Sequence, residues 1–490
     1  MHNSQGLEKV LSLRQEILAG DEKRLKEQRD AGKLTARERI AKIADAGSFV
    51  ELFALVSRND EGAGVVTGYA TIEERPVYLF AQEFTVRGGA MGQLQAAKIV
   101  KLLELAQKTG APVLALMDSA GVRIDEGAQA LSAYSEIYQK MARMSGVCPM
   151  VALVLGPCIG GAALLSQLAD VSIVAEKVGQ LMVFGPQVMA AMNGEQVDAE
   201  KFGGAKVAAE MGACALTAAS EDEALLKARQ VLALLPSSNL EDTEIVDTDD
   251  LNRLLPAIDP ADADALLNAV ADQGTLVELY AAYESSIKVA LARLGGSSVG
   301  LVAANGKLTA GALQKAARFV RFMDCYGIPV VSLLNTSGVE VNGVKEQGWL
   351  FKAQSQLLYA YAEATVPKVA VVTGDAIGQA YVAMGGKAMA DVTYAWPSAV
   401  ISALTPEAAV AVLYQDEVKA DKELSVEEAR AKYASEYVEN VAGCLNAAKQ
   451  GMVDDVIEPA QTRAMLISAL EMLMSKRDSN PPKKHGNLPM

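Results

Sequence analysis

The stretch VALVLGPCIGGAALLSQLAD, residues 151–170, decides the fold. An apolar run leads into a turn that contains Gly160 and Gly161 and then into small residues, which is typical of a strand, a tight turn and a helix. The stretch VAVVTGDAIGQAYVAMGGKAMAD, residues 369–391, has the same form. The sequence therefore predicts one strand–turn–helix element that occurs twice.

The sequence around this element is duplicated as well. The corresponding segments are PVLALMDSAGV (112–122) with PVVSLLNTSGV (329–339), CPMVALVLGPCIGGAAL (148–164) with VPKVAVVTGDAIGQAYV (366–382), and AAKIVKLLELA (96–106) with AARFVRFMDCY (316–326). They follow the same order at nearly the same separation, and the glycines match. This pattern indicates an internal duplication rather than a chance likeness of two apolar strands.

Short Val, Ile and Leu runs alternate with longer amphipathic stretches, as in residues 76–84, 96–110 and 112–121. This alternation predicts strand–helix–strand units of the α/β class. The first fifty residues have apolar side chains at helical spacing among many charges, which predicts a helix. Between Pro236 and Pro260 the chain has seven acidic residues, one arginine and three prolines. We therefore expect two domains, residues 1–245 and 246–490.

The composition excludes several classes of function. The 490 residues carry a net charge of −15, which argues against nucleic-acid binding because that binding needs clustered Lys and Arg. The two histidines, His2 and His485, both lie near the ends of the chain. Hydrolases with a Ser-His-Asp or Cys-His site, and the usual zinc sites, need imidazole groups near their chemistry. We expect no metal, and proton transfers that use other groups.

The cysteines and the apolar runs predict where the protein works. The five cysteines are scattered and form no C-x-x-C pair, so we expect reduced, mostly buried thiols. No secretory signal and no unbroken apolar run of about 18 residues is visible. We therefore expect a cytoplasmic protein, with a position at the periphery of a membrane complex as the alternative.

The duplicated element suggests its own chemistry. The first amides of a helix have no intrahelical acceptor, and together with the helix dipole they suit an oxyanion or an enolate. Tight packing of helix on strand would explain a single Gly pair equally well. Two copies, each preceded by a D/N-S/T-x-G loop, favour a paired site. Carboxyl transfer between biotin and an acyl thioester has this form, because two enolate-like anions need donors and a reactant carries the proton.

The residues resemble the carboxyltransferase subunits of biotin-dependent acyl-CoA carboxylases and decarboxylases. The matching motifs are GKLTARERI (32–40), GSFVEL (47–52), FTVRGGAMG (84–92), DSAGVRIDEG (118–127), GPCIGGAA (156–163), ARFVRF (317–322), LLYAYAEATVPKV (357–369), YAWPSA (394–399) and PPKKHGN (481–487). This similarity covers nearly the whole chain. It includes the propionyl-CoA carboxylase β subunit and the methylmalonyl-CoA decarboxylase α subunit.

The resemblance implies two tandem crotonase-like (ClpP/crotonase) ββα superhelix domains, the first on the acyl-CoA side and the second on the biotin side. It also implies a homo-oligomer, either a dimer or a hexamer built as a trimer of dimers, with the site at the dimer interface. The chain contains no M-K-M biotin acceptor and no Gly-rich ATP loop. A biotin carboxyl carrier protein is therefore implied, together with a biotin carboxylase or a membrane decarboxylase subunit.

The resemblance also implies site residues. The acyl-thioester oxyanion donors correspond to the amides of Gly160 and Gly161, and the biotin oxyanion donors to those of Gln379 and Ala380. The remaining implied residues contact CoA (Arg87, Gly88, Gly89, Lys98, Ser119, Ala120, Gly121 and Arg123) or biotin (Gly338, Gly378 and Tyr381).

The second half departs from the family pattern. The family's G-G-A-Y-D is here Gly378 to Val382, with Gln379 in place of a glycine and Val382 in place of the acid. A backbone amide survives the change to glutamine if φ is negative. Two alternatives remain open at this point. One is a degenerate scaffold or regulatory subunit, and the other is a biotin-independent crotonase-type hydratase or isomerase.

Overall fold

The computed structural model describes residues 2–58, 61–194, 196–247, 249–341 and 343–489. The chain divides into two compact units, Met1–Asp242 and Thr243–Met490. Each unit has its own eight-stranded mixed sheet. Among the described residues, no helix has both the length and the apolar character that crossing a bilayer requires.

The first unit contains ten strands and ten α-helices among its described residues. The strands are β1 (Val50–Leu52), β2 (Ser57–Arg58), β3 (Glu61–Gly62), β4 (Val65–Ile72), β5 (Arg75–Gln82), β6 (Val113–Ser119), β7 (Met150–Ile159), β8 (Val171–Ala175), β9 (Gln180–Met182) and β10 (Leu216–Ala218). The helices are α1 (His2–Ala19), α2 (Glu22–Asp30), α3 (Ala36–Ile43), α4 (Gln93–Thr109), α5 (Ala128–Met144), α6 (Gly161–Leu168), α7 (Pro186–Asn193), α8 (Ala199–Gly203), α9 (Ala205–Glu210) and α10 (Glu221–Ala233).

The strands of the first sheet follow the order β1-β4-β5-β6-β7-β8-β10, and β9 also pairs with β7. The pairs β1–β4 and β4–β5 are antiparallel, and the following pairs from β5 onward are parallel. Strands β6 and β7 pair with Val113 opposite Met150, and their register shifts just before Ser119. Parallel strands need crossover helices, so α4 and α5 cover the sheet and the D-S-A-G loop falls at the carboxyl edge.

The second unit contains eight strands and nine α-helices among its described residues. The strands are β11 (Val277–Leu279), β12 (Ile287–Leu294), β13 (Ser297–Leu308), β14 (Val330–Val339), β15 (Lys368–Ile377), β16 (Val392–Ala395), β17 (Val400–Ser402) and β18 (Asp455–Val456). The helices are α11 (Ala263–Val270), α12 (Ala310–Cys325), α13 (Val344–Glu363), α14 (Gly378–Gly385), α15 (Pro406–Leu413), α16 (Gln415–Ala420), α17 (Val426–Tyr437), α18 (Cys444–Lys449) and α19 (Thr462–Leu473).

The second sheet repeats the topology of the first. Its order is β11-β12-β13-β14-β15-β16-β18, with β17 also paired to β15. The first two pairs are again antiparallel and the rest parallel. Strands β14 and β15 pair with Val330 opposite Lys368, which is the counterpart of Val113 opposite Met150. The duplication seen in the sequence is therefore a duplication of the whole sheet.

Each unit is held by its own apolar core. In the first, side chains of β6 and β7 such as Val113 and Val154 pack with Leu102 and Ile137 from α4 and α5. In the second, Val331 and Val371 belong to a core that includes residues from β12 to β16. Burying one Leu or Val side chain contributes roughly 1.5 to 3 kcal/mol, so these cores fix the position of the sheet edges.

The predicted N-terminal helix is broken into three helices, α1, α2 and α3. The first break follows Ala19, where Gly20 has a φ of 62°, and the second precedes a capping box formed by Thr35 and Glu38. The capping box satisfies two orphan amides and starts α3 at Ala36. This start brings Arg39 into the interior of the first unit.

Candidate active site

The turn between β7 and α6 depends on a glycine with a positive φ. Gly160 has a φ of 61° and a ψ of −121°, a conformation that residues with a Cβ rarely adopt. The Gly160 amide donates to Met182 O at 2.8 Å, which continues the pairing of β7 with β9. Gly160 was expected to be one of two donors, but its amide is already used. The amide of Gly161, the first residue of α6, has no intrahelical acceptor and is the candidate donor at this turn.

Gly161 occupies a position that no larger residue fits. A Cβ there would lie 2.7 Å from Tyr134 Cζ and 2.7 Å from Tyr138 Oη. Real Cβ atoms do not approach other atoms so closely, so a side chain would displace the turn or the two rings. The glycine therefore lets α5 pack directly against the start of α6.

Two loops converge on this turn, and they contain most of the predicted CoA residues. Ala120 N donates to Gly88 O at 2.9 Å, and Met91 N donates to Gly121 O at 2.8 Å. Gly89 has a φ of 60°, and a Cβ there would lie 2.2 Å from Asp118 O. The loop at 86–92 and the loop at 118–123 thus form one surface at the carboxyl edge of the sheet.

The D-S-A-G loop closes on itself through a hydroxyl. Ser119 Oγ accepts from Gly121 N and donates to Gly121 O, both at 3.3 Å. In the second unit, Thr336 Oγ1 accepts from Gly338 N and donates to Gly338 O, both at 3.2 Å. The φ values of Gly121 and Gly338 are 113° and 104°. The two loops have the same geometry, which extends the duplication to the level of single hydrogen bonds.

The turn at the start of α14 contains the predicted biotin residues. Gly378 has a φ of 72°, close to that of Gly160. Gln379 is exposed and has a helical, negative φ, so its amide keeps the place that a glycine amide would have. Ala380 is buried and Tyr381 is half-buried, and burial raises the pKa of the Tyr381 hydroxyl. The amides of Gln379 and Ala380 belong to the first turn of the helix, where intrahelical acceptors are missing.

Two of the basic residues predicted to contact CoA are buried and have other partners. Lys98 is 5% exposed, and its Nζ donates to Val65 O at 2.6 Å. Burial lowers the pKa of Lys98 to about 8. Arg123 is 6% exposed and donates to Ala90 O at 3.1 Å and Ala63 O at 3.2 Å. These two cations hold backbone segments together, and neither is an exposed phosphate ligand.

Arg87 differs from the two buried cations. Its guanidinium pairs with Asp125 at 2.7 Å, and both side chains are partly exposed. It lies beside Gly88 at the surface formed by the two loops. Of the three basic residues predicted to contact CoA, Arg87 is thus the one with a partly exposed side chain.

A buried ionic network beneath the D-S-A-G loop was not predicted. Asp118 contacts Lys33 Nζ at 2.8 Å and Arg39 Nη1 at 2.9 Å, and Arg39 Nε also binds Glu221 at 2.6 Å. Desolvation opposes the charge on Arg39, but the carboxylates of Asp118 and Glu221 outweigh it and raise the pKa of Arg39. The loop at the site is thus anchored by cations from α3 and the segment before it.

In the second unit, the corresponding loop is held by uncharged side chains. Asn335 stands where the first unit has Asp118, and its Oδ1 accepts from Asp375 N at 3.0 Å. Its Nδ2 donates to Asn305 Oδ1 at 3.0 Å. Gly374 lies against Asn335 as Gly156 lies against Asp118, since a Cβ at either glycine would clash with the facing side chain. The loop position is the same, but an amide pair replaces the ion pair.

Two further segments, at Val183 and Ala403, border the glycine turns and were not predicted from the sequence. A Cβ at Gly160 would lie 3.6 Å from Val183 O, and one at Gly378 would lie 3.7 Å from Ala403 O. Each segment continues into a helix that starts with proline, at Pro186 and Pro406. The matched prolines after a short strand were the available signal.

An open apolar groove of about 710 Å³ lies beside Gly161. Its walls are Val122, Leu131, Tyr134, Ser135, Tyr138, Gln139, Ala142, Gly161 and Leu164. Such a surface suits a short hydrocarbon group next to a polar centre.

Among the described residues, the site contains neither a metal-ligand cluster nor a disulfide. No group of three or more His, Cys, Asp or Glu residues is placed to hold a metal ion there. The five cysteines are free thiols, four of them buried and Cys325 exposed. Burial raises the pKa of Cys148 to about 11, which keeps its thiol protonated at neutral pH.

The carboxyl transferase domain matches residues 27–488 of this chain. The chain belongs to the carboxyl transferase family. The resemblance noted from the sequence motifs is thereby confirmed, and so is the prediction that the protein is a carboxyltransferase enzyme.

This carboxyl transferase has relatives of nearly equal length. It is 40% identical to the methylmalonyl-CoA decarboxylase subunit alpha of Veillonella parvula over 96% of both chains. It is 41% identical to the putative propionyl-CoA carboxylase beta chain of Bacillus subtilis, again over 96% of both. A solved transcarboxylase 12S structure with 38% identity superposes with a TM-score of 0.92 and covers 99% of this chain and 98% of that one. The predicted fold of two crotonase-like α/β domains is confirmed by this match.

Proposed function

We propose that this carboxyl transferase moves a carboxyl group between biotin on a carrier protein and a short-chain acyl-CoA. The observation that carries the proposal is that the same loop and glycine turn occur in both units. In each, a hydroxyl-closed loop at Gly121 or Gly338 accompanies a glycine turn at Gly160 or Gly378. A reaction that develops negative charge on two different carbonyl oxygens needs two such donor sites.

The predicted N-terminal domain, residues 1–245, is proposed as the acyl-CoA domain. The Gly161 amide would donate to the thioester oxygen as it gains charge, and the groove formed with Val122, Leu131 and Leu164 would hold the acyl group. Ser119, Ala120 and Gly121 would line the path of CoA beside Gly88 and Gly89. Arg87 would supply charge near a phosphate.

The predicted C-terminal domain, residues 246–490, is proposed as the biotin domain. Biotin, when bound on its carrier, supplies the ureido nitrogen that carries the carboxyl group. The residues present fit this group, because the turn offers main-chain amides at Gln379 and Ala380 and an open approach at Gly338, where an added Cβ would meet only Ile377 O at 3.9 Å. Tyr381 would pack beside the ring system. These donors stabilise charge on a carbonyl oxygen without taking or giving a proton.

The relatives favour a short acyl group. Those named above include a methylmalonyl-CoA decarboxylase subunit and a putative propionyl-CoA carboxylase chain. The transcarboxylase 12S structure is described with methylmalonyl-coenzyme A and methylmalonic acid bound. We propose propionyl-CoA and methylmalonyl-CoA as the first pair to test, and the apolar walls of the groove support this choice.

Assembly and partners follow the same relatives. The transcarboxylase 12S structure is described as a hexamer assembly. We propose a homo-oligomer, with a hexamer built as a trimer of dimers as the first expectation and a dimer as the second. A biotin carboxyl carrier protein and either a biotin carboxylase or a membrane decarboxylase subunit are the proposed partners. A cytoplasmic location, free or at the edge of a membrane complex, fits both.

The test uses purified full-length protein with free biotin and a panel of malonyl-, methylmalonyl- and glutaconyl-CoA. Biotin-dependent loss of CO2 supports the proposal, and the preferred member of the panel identifies the acyl group. Binding of CoA without any turnover would instead support the scaffold or regulatory alternative. Hydration of enoyl-CoA in the absence of biotin would support the crotonase-type alternative and overturn the proposal.

A further inference from the structure

Two tyrosines on α5, which also line the apolar groove, contact the backbone of the proposed thioester site. Tyr134 and Tyr138 lie one helical turn apart, and their rings stack with centroids 5.6 Å apart and an interplanar angle of 19°. Tyr138 Oη donates to Gly161 O at 2.9 Å. Tyr134 Oη donates to Gly121 O at 3.1 Å. Both hydroxyls therefore contact the backbone of the site rather than solvent or one another.

The peptide that joins Gly161 to Ala162 is held through its carbonyl oxygen, which accepts a hydrogen bond from Tyr138 Oη at 2.9 Å. On the other side of the turn, the Gly160 amide is held by Met182 O at 2.8 Å. The peptide between Gly160 and Gly161 lies between these two fixed peptides. Its N–H, the one proposed to bind the thioester oxygen, therefore has its direction set by its neighbours.

Packing reinforces the hydrogen bonds. Tyr134 is 5% exposed, and the two rings approach so closely that Gly161 has no room for a Cβ. Tyr134 also joins the D-S-A-G loop to the start of α6, because its hydroxyl donates to Gly121 O while its ring lies against Gly161. Without these contacts, the peptide between Gly160 and Gly161 could adopt several orientations, because glycine restricts the backbone least.

We infer that Tyr134 and Tyr138 are positioning residues that aim the Gly161 amide at the thioester oxygen. This inference rests on the proposed function, since it concerns the donor of that reaction. Neither residue acts as an acid or base, because each hydroxyl donates to a backbone carbonyl. Burial raises the pKa of both hydroxyls, so they stay protonated at neutral pH. Their effect is preorganisation, which speeds the chemical step without binding the substrate more tightly.

The activity test compares Tyr134→Phe and Tyr138→Phe with Tyr361→Phe. Tyr361 is the matched control, because it is a 1% exposed tyrosine whose hydroxyl bonds Ser332 at 2.8 Å, away from either turn. We expect kcat for biotin-dependent decarboxylation to fall about 10-fold in each α5 variant, with KM for acyl-CoA within about 2-fold and the pH profile unchanged. Tyr361→Phe is expected to lose stability only. Equal kcat values in all three variants, or a rise of KM alone, would overturn the inference.

A second measurement keeps the inference separate from the proposed function. Hydrogen–deuterium exchange is followed in peptides that cover residues 156–165, on the wild-type chain and on the three variants. Faster exchange there in Tyr134→Phe and Tyr138→Phe, but not in Tyr361→Phe, supports the positioning role even if the wild type has no carboxyltransferase activity. Unchanged exchange in both α5 variants overturns it. An inactive wild type with accelerated exchange in the variants would count against the proposed function alone.

Discussion

Arg39 Nη1 lies 2.9 Å from Asp118 Oδ2, and neither side chain exposes any surface. Removing one member of a buried pair leaves the other charge without compensation, which costs far more than breaking a surface pair. This pair links α3 to the loop whose Gly121 borders the proposed thioester site. The geometry of that loop therefore depends on a residue far away in the sequence.

Asp118→Asn is expected to destabilise the protein by about 3 to 5 kcal/mol, because Arg39 and Lys33 lose their shared carboxylate inside the first unit. Urea unfolding measures this change. The matched control is Asp222→Asn, which breaks an exposed pair with Lys42 and should cost at most about 1 kcal/mol. A loss below about 1 kcal/mol in Asp118→Asn would show that the buried cations find other partners.

Gly161→Ala is expected to lower kcat by about 100-fold or more, because its Cβ would clash with both tyrosines and displace the proposed donor amide. Steady-state decarboxylation of methylmalonyl-CoA with free biotin measures it. Gly348→Ala serves as the control, since a Cβ at Gly348 meets nothing within 4 Å. Retention of full kcat by a folded Gly161→Ala variant would remove this amide from the mechanism.

Gln379 allows a test of whether a side chain or a main-chain amide acts in the second unit. Gln379→Gly keeps the amide, so kcat should change by less than about 3-fold. Gln379→Pro deletes the amide at a first-turn position where the helix tolerates proline, so kcat should fall by about 100-fold. Circular dichroism confirms that both variants fold. Similar kcat losses in the two variants would instead assign the role to the glutamine side chain.

Because Lys98 is buried, we expect the free energy of unfolding to depend on pH. Its folded pKa is about 8 against an ordinary value of 10.5. Between these values the unfolded chain holds a proton that the folded chain has released, so this residue makes stability rise with pH from about 8 to 10.5. The contribution is on the order of 1 to 3 kcal/mol.

Urea unfolding of wild type and Lys98→Met at pH 7.5, 9 and 10 isolates that contribution. We expect the stability difference between the two proteins to shift in favour of wild type as pH rises. Parallel curves over the whole range would show that Lys98 titrates normally in the folded state.

The sequence was sufficient for the fold because the duplicated strand–turn–helix element carries its own periodicity and glycines. The roles of Gly161 and Gln379 were implied by the family resemblance and stay predictions. The use of the Gly160 amide by Met182 could not be predicted, since it depends on how a three-residue strand pairs with β7. Tyr134 and Tyr138 were hidden for another reason. Their spacing of four residues on an amphipathic helix is what any core-facing helix shows.

The Arg39–Asp118 pair was hidden by distance along the chain, since 79 residues separate its members. Local propensity and hydrophobic periodicity carry no information at that range. The motifs at 32–40 and 118–127 were both visible, but only the fold shows that the cations of one neutralise the acid of the other. The exposed charge of Arg87 and the buried charges of Lys98 and Arg123 were likewise indistinguishable before burial was known.

The replacement of an ion pair by the Asn335–Asn305 amide pair has a practical consequence for engineering. The loop of the first copy depends on Lys33 and Arg39, whereas the loop of the second is satisfied within its own sheet. Changes to Lys33 or Arg39 are thus expected to alter the loop at Gly121, which borders the proposed thioester site, and to leave the loop at Gly338 unchanged. The duplicated loops at Asp118 and Asn335 can therefore be altered independently by mutation.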